Sequence, residues 1–109
     1  KQVVIAFIYG GCVEALEKHS LFWTFNLQGV CFPRLKEIGK SAFYASTAIS
    51  FIHFKNVVQL TEEAFSYCSG LKAVVMEQVK VIPENCFSDC RNLQAMKFNN
   101  VSRIETNAF

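Results

Sequence analysis

Large apolar residues recur along this 109-residue chain in six columns, each advancing by 22 residues. Take Leu21, Phe43, Phe65, Phe87 and Phe109 as position zero. Eight residues earlier stand Val13, Leu35, Val57, Val79 and Val101; five earlier stand Leu16, Ile38, Leu60, Ile82 and Ile104. Six later come Ile5, Leu27, Ile49, Leu71 and Leu93; nine later come Ile8, Val30, Ile52, Val74 and Met96. The sixth column, eleven later, is Gly10, Phe32, Phe54, Met76 and Phe98. Only Gly10 is not large and apolar, whereas a chain that is 51% hydrophobic would fill half of these positions by chance. A strict period of this length marks a solenoid, in which each unit buries its face only against its neighbours.

Within each unit the last three columns alternate at their end, as in Leu71-Lys-Ala-Val74-Val-Met76 and Leu93-Gln-Ala-Met96-Lys-Phe98. Alternation places every second side chain on one face of a short strand. Five strands, near residues 4–9, 28–32, 50–54, 72–76 and 94–98, are predicted to stack as one parallel sheet with right-handed crossovers. After each strand a turn leads through the Val and Ile columns to a short helical or 3-10 turn that carries the buried phenylalanine. Thr61 before Glu62-Glu63, and Pro83 before Glu84, suit a capped first turn. Such a turn is too short to persist alone. Docking of the ring and of the small residue before it (Ala42, Ala64, Cys86, Ala108) has to hold it. The expected architecture is α/β, one domain over residues 1–109 with about five repeats, the first degenerate.

The phrases Ile38-Gly39-Lys-Ser-Ala42-Phe43, Leu60-Thr-Glu-Glu-Ala64-Phe65, Ile82-Pro-Glu-Asn-Cys86-Phe87 and Ile104-Glu-Thr-Asn-Ala108-Phe109 carry a family resemblance. With Cys68 and Cys90 three residues after their phenylalanines, and the L-x-x-L-x-L phrase that follows, they are similar to BspA-type leucine-rich repeats. The likeness is close over residues 35–109 and loose over 5–34. It implies a leucine-rich-repeat solenoid within a longer surface protein that adheres to a host or matrix protein. The chain departs from the family in having proline after the strand only at Pro33, against Lys55, Glu77 and Asn99 elsewhere.

Charge narrows the partners. The net charge is +2, and the eleven Lys and Arg are spread without a run. No nucleic-acid or anionic-membrane surface is expected from that distribution. The opening Lys1–Cys12 stretch resembles a secretion leader, but its apolar run is too short for a membrane helix and lacks a small-x-small cleavage site. It fits the repeat register and is read as a strand. Neither end offers a polar cap, so the chain is expected to be a piece of a longer array. A cell-surface or secreted location is expected, with the cytoplasm as the alternative.

The five cysteines, Cys12, Cys31, Cys68, Cys86 and Cys90, are an odd number without a dense disulfide framework. Cys68 and Cys90 share a column in adjacent coils and read as small buried hydrophobes, with a bridge geometrically conceivable. Cys86 and Cys90 with His19 or His53 make a poor zinc set, because they lie in unlike columns. Cys31 and His53 share an outward column, yet no acid continues it to orient the histidine for catalysis. No enzyme, cofactor, metal or small-molecule substrate is expected.

The outward sheet face reads Phe7, Tyr9, Gly29, Cys31, Phe51, His53, Ala73, Val75, Ala95 and Lys97. A solvated face should be mostly polar, and this one is not. Apolar surface of that kind marks an interaction site. Phe7, Tyr9, Cys31, Phe51, His53, Val75 and Lys97 are therefore the candidate partner-binding residues of a non-enzymatic protein-binding scaffold. An intracellular structural or regulatory scaffold is the alternative. Phe22, Trp23 and Phe25 are expected to seal one end or to fold onto the neighbouring coil. Asn100-Val-Ser102 is a glycosylation sequon in a turn.

Overall fold

A computed structural model describes residues 6–109. Its ten short strands are β1 (Ala6–Tyr9), β2 (Ala15–Leu16), β3 (Leu27–Cys31), β4 (Glu37–Ile38), β5 (Phe51–His53), β6 (Gln59–Leu60), β7 (Ala73–Val75), β8 (Val81–Ile82), β9 (Ala95–Lys97) and β10 (Arg103–Ile104). The odd-numbered strands down to β9 fall at the predicted L-x-x-L-x-L phrases; the first prediction began at residue 4, outside the described residues together with Ile5. Every strand pairing is parallel, with partners such as Phe51↔Ala73↔Ala95 spaced by the sequence period.

The inner strands do not form one sheet as expected. They form a pair, β1–β3, and a triplet, β5–β7–β9. In β3 the partners of Ala6 and Phe7 are Leu27 and Gly29, which leaves Gln28 as a bulge. A bulge bends and twists its strand, and the other edge of β3 is the one that fails to join β5. A second row of two-residue strands, not anticipated, runs beside the first as β2–β4–β6 and β8–β10. It is interrupted at Pro83, which has no N–H. At the equivalent places Gly39 N donates to Leu16 O at 2.8 Å and Glu105 N to Ile82 O at 2.9 Å.

The column arithmetic predicts the core correctly. Leu35, Val57 and Val79, Ile38 and Ile82, Leu27, Ile49 and Leu71, Ile52 and Val74, Phe54 and Met76 are all buried. The rings of Phe43, Phe65, Phe87 and Phe109 stack in sequence at 5.0, 5.3 and 5.5 Å, within 8° of parallel. In the last coil the same columns stand open at Met96, Ile104 and Phe109.

The helical turns are a correction: among the described residues there is no helix of either kind. Around each phenylalanine the backbone N–H groups alternate in direction. Ala42, Tyr44 and Ser46 donate locally to Gly39, Ser41 and Phe43, whereas Ser41, Phe43 and Ala45 donate to Glu62, Ala64 and Ser66 of the next coil. The coils of Phe65 and Phe87 repeat the scheme. Half of the donors a helix needs are thus committed to a neighbour. The alternation is achieved by left-handed residues two before and two after the ring, among them Ser41 (φ 55), Ala45 (φ 57), Glu63 (φ 60) and Tyr67 (φ 60). A left-handed third residue closing an i→i+3 bond is the geometry of a type II turn. Glu63, read above as part of a capped helical start, is one of the residues that prevents a helix.

Coil-to-coil distance is also limited by small residues. A Cβ on Gly70 would lie 2.2 Å from the Thr47 carbonyl oxygen, whereas one on Gly11 would meet only the movable Tyr9 side chain. Gly70→Ala is therefore expected to destabilise by about 1–3 kcal/mol and Gly11→Ala by no more than about 0.5 kcal/mol, read from urea denaturation midpoints.

Candidate functional site

The outward face of the inner strands is built from the positions that the core does not take. Phe7 and Tyr9 on β1 are 70% and 74% exposed, and Phe51 on β5 is 54% exposed. Register places Tyr9 opposite Cys31 and sets His53, Val75 and Lys97 in one row. The Phe51 and His53 rings meet edge-to-face at 6.3 Å. Phe7 lies over Gly29, whose missing side chain makes room for the ring. Of the seven candidates, Val75 is half-buried and the other six are exposed. Lys97 forms an ion pair with Glu77 at 3.6 Å, so the C-terminal end of the face is polar.

Cys31 and His53 line one shallow hollow with Val30, Phe32, Pro33 and Lys55. They belong to the two inner strands that do not pair, and no carboxylate joins them there. Among the described residues no group of three or more His, Cys, Asp or Glu is placed to hold a metal, and no helix is long and apolar enough to cross a membrane.

The cysteines are all free thiols. The column of Cys68 and Cys90 has a defined task. Ser46 Oγ donates to Leu21 O at 3.1 Å, Cys68 Sγ to Phe43 O at 3.0 Å and Cys90 Sγ to Phe65 O at 3.1 Å. Each satisfies a carbonyl of the preceding coil at its position-zero residue. The neighbouring Cys90 thiol and burial hold the Cys68 thiol well above its ordinary pKa. Burial likewise pushes the Cys86 thiol far up.

A second aromatic group lies on the turn side. Phe22 folds onto the neighbouring coil as expected, stacking on Tyr44 at 4.9 Å, and Tyr44 meets Tyr67 of the following coil at 5.3 Å. Trp23 and Phe25 pack on each other at 5.6 Å, yet each remains more than half exposed. The sequence reading singled out Phe22, Trp23 and Phe25 and missed Tyr44 and Tyr67. The signal was present: Tyr44 shares the column of Phe22, and Tyr67 that of Trp23.

A family model described as "BspA type Leucine rich repeat region (6 copies)" matches residues 12–109. The fold is similar to that of a leucine-rich repeat protein of T. pallidum, with a TM-score of 0.78 and 26% identity over 84% of this chain and 45% of that one. It is also similar to a leucine rich cell surface protein of Faecalibacterium prausnitzii A2-165, with a TM-score of 0.70 and 21% identity over 85% of this chain and 29% of that one. The chain thus spans less than half the length of either structure. No curated protein matches it.

Thiol chemistry gives two tests of this geometry. In the native protein the exposed Cys12 and Cys31 should react with a thiol reagent at once, and the buried Cys68 and Cys86 only after unfolding. Because the folded-state pKa of Cys86 lies above its ordinary 9.0, its contribution to stability is complete below that pH and is lost as the pH rises above it. Urea midpoints measured across that range should fall, and fall less in Cys86→Ala.

Proposed function

As the chain belongs to the BspA-type leucine-rich repeat family, we propose that it is a non-enzymatic scaffold in a cell-surface protein. It binds a protein partner on the outward face of its inner strands. The observation that carries this reading is the exposure of Phe7, Tyr9 and Phe51 on a regular strand surface that the core leaves free. Aromatic rings supply large contact area at small entropic cost and dominate binding hot spots. The Lys97–Glu77 pair supplies a polar border at one end of the strip, as interfaces commonly have. The partner is a host or matrix protein, or another subunit. Surface placement is supported by the likeness to the Faecalibacterium cell surface protein.

One observation favours a second reading, an intracellular scaffold. Cys12 and Cys31 are exposed free thiols, which are commoner in reducing compartments.

The test is binding of the protein to a panel of immobilised extracellular-matrix proteins. The double variant Phe51→Glu, His53→Glu should keep the parent unfolding midpoint and lose about 2 kcal/mol or more of binding energy to every matrix protein the parent captures. Undiminished binding by the double variant, or no capture by the parent, would sink the reading.

A further inference from the structure

The turn side carries an open groove of about 370 Å³ that the proposed protein interface does not use. One wall is the column of Trp23, Ala45, Tyr67 and Asp89; the other is that of Thr47, Ser69 and Arg91. The phenylalanine stack advances 5.0–5.5 Å per coil. Trp23 and Tyr67 stand two coils apart on the first wall with Ala45 between them, and Tyr44 and Phe25 also line the groove. Rings pack on aromatic faces at about 4.5–7 Å between centres. The groove thus presents aromatic faces against which a sugar ring can pack.

The polar groups define what that ring carries. Asp89 and Arg91 both line the groove without pairing with each other, and among the described residues Arg91 forms no ion pair. The Thr47, Ser69, Tyr44 and Tyr67 hydroxyls make no hydrogen bond within the described protein, and the Asp89 carboxylate accepts only from Ser88, at 3.4 Å. The site offers donors and acceptors side by side, with one negative and one positive charge.

We propose that this groove binds a neutral oligosaccharide, packing the C–H face of a pyranose against Trp23 and Tyr67 while sugar hydroxyls pair with Asp89, Arg91, Thr47 and Ser69. A sugar hydroxyl both donates and accepts, so one ligand type satisfies the carboxylate and the guanidinium together. A polyproline helix also packs on aromatic grooves, but it has no N–H to give Asp89. An apolar protein surface would leave all four polar side chains desolvated and unpaired, which costs binding energy. The opposed charges of Asp89 and Arg91 select no net charge in the ligand. This goes beyond the reading of the strand face as a protein interface and stands whether or not that reading does.

Trp23 is the sole tryptophan, so its fluorescence reports directly on the groove. The protein is titrated separately with maltohexaose, cellohexaose, mannohexaose, N-acetylchitohexaose and decaproline. At least one hexasaccharide should shift the emission to shorter wavelength and saturate with a dissociation constant between about 1 μM and 1 mM. Tyr67→Ala and Asp89→Asn should each weaken that binding by about tenfold or more. The Phe51→Glu, His53→Glu variant should bind the sugar like the parent. A saturable response to none of the four saccharides, or to decaproline alone, would overturn the proposal. So would undiminished binding in both Tyr67→Ala and Asp89→Asn.

Discussion

From Phe43 onward each coil is held over the next by the same pair of interactions, an aromatic ring stacked on a ring and backbone N–H groups bonded across the gap. Phe43, Phe65, Phe87 and Phe109 stack nearly parallel. Beside them Phe43 N donates to Ala64 O at 2.8 Å, Phe65 N to Cys86 O at 2.8 Å and Phe87 N to Ala108 O at 2.7 Å. A slip by one residue would pull the ring from its stack and turn each inter-coil donor towards a local carbonyl. The period is therefore constrained by backbone and side chain together. The thiol and hydroxyl column of Ser46, Cys68 and Cys90 works in the same direction, since each ties its coil to a carbonyl of the one before.

Once coils are forced into register, every column becomes a surface. Columns that point inward form the core, and what remains is divided between the outward face of the inner strands and the outer turns. Phe7, Tyr9, Phe51 and His53 share the first of these, with Lys97 at its polar end. Trp23, Tyr44 and Tyr67 gather on the second because neighbouring coils bring residues 22 or so apart within ring contact. A repeat that buries almost all of its phenylalanine columns can thus display two separate aromatic surfaces without losing its core.

The core was legible because it depends on residue type at a fixed period, and Leu35, Ile38, Phe65 and Met76 stand where the columns place them. The turns were misread because a curled segment with local i→i+3 bonds and a helical turn share one apolar spacing. Only the left-handed residues separate them. Asn85, Asn107 and Asp89 are of the types that tolerate that conformation, but Ser41, Ala45, Glu63 and Tyr67 at the same stations are not diagnostic. The break between β3 and β5 left no composition signal beyond Gly29, whereas the break at β8 was written in Pro83. On the inner strands the outward positions followed from alternation, although Val75 proved half-buried. Tyr44 and Tyr67 were legible only by reading their columns against Phe22 and Trp23.

Inter-coil bonding around the phenylalanine stack is accessible to nuclear magnetic resonance through scalar couplings across hydrogen bonds. The fold described here predicts couplings from the Phe43, Phe65 and Phe87 amide nitrogens to the carbonyl carbons of Ala64, Cys86 and Ala108. Couplings from the same nitrogens to carbonyls four residues earlier, the pattern of an α-helix, would contradict it.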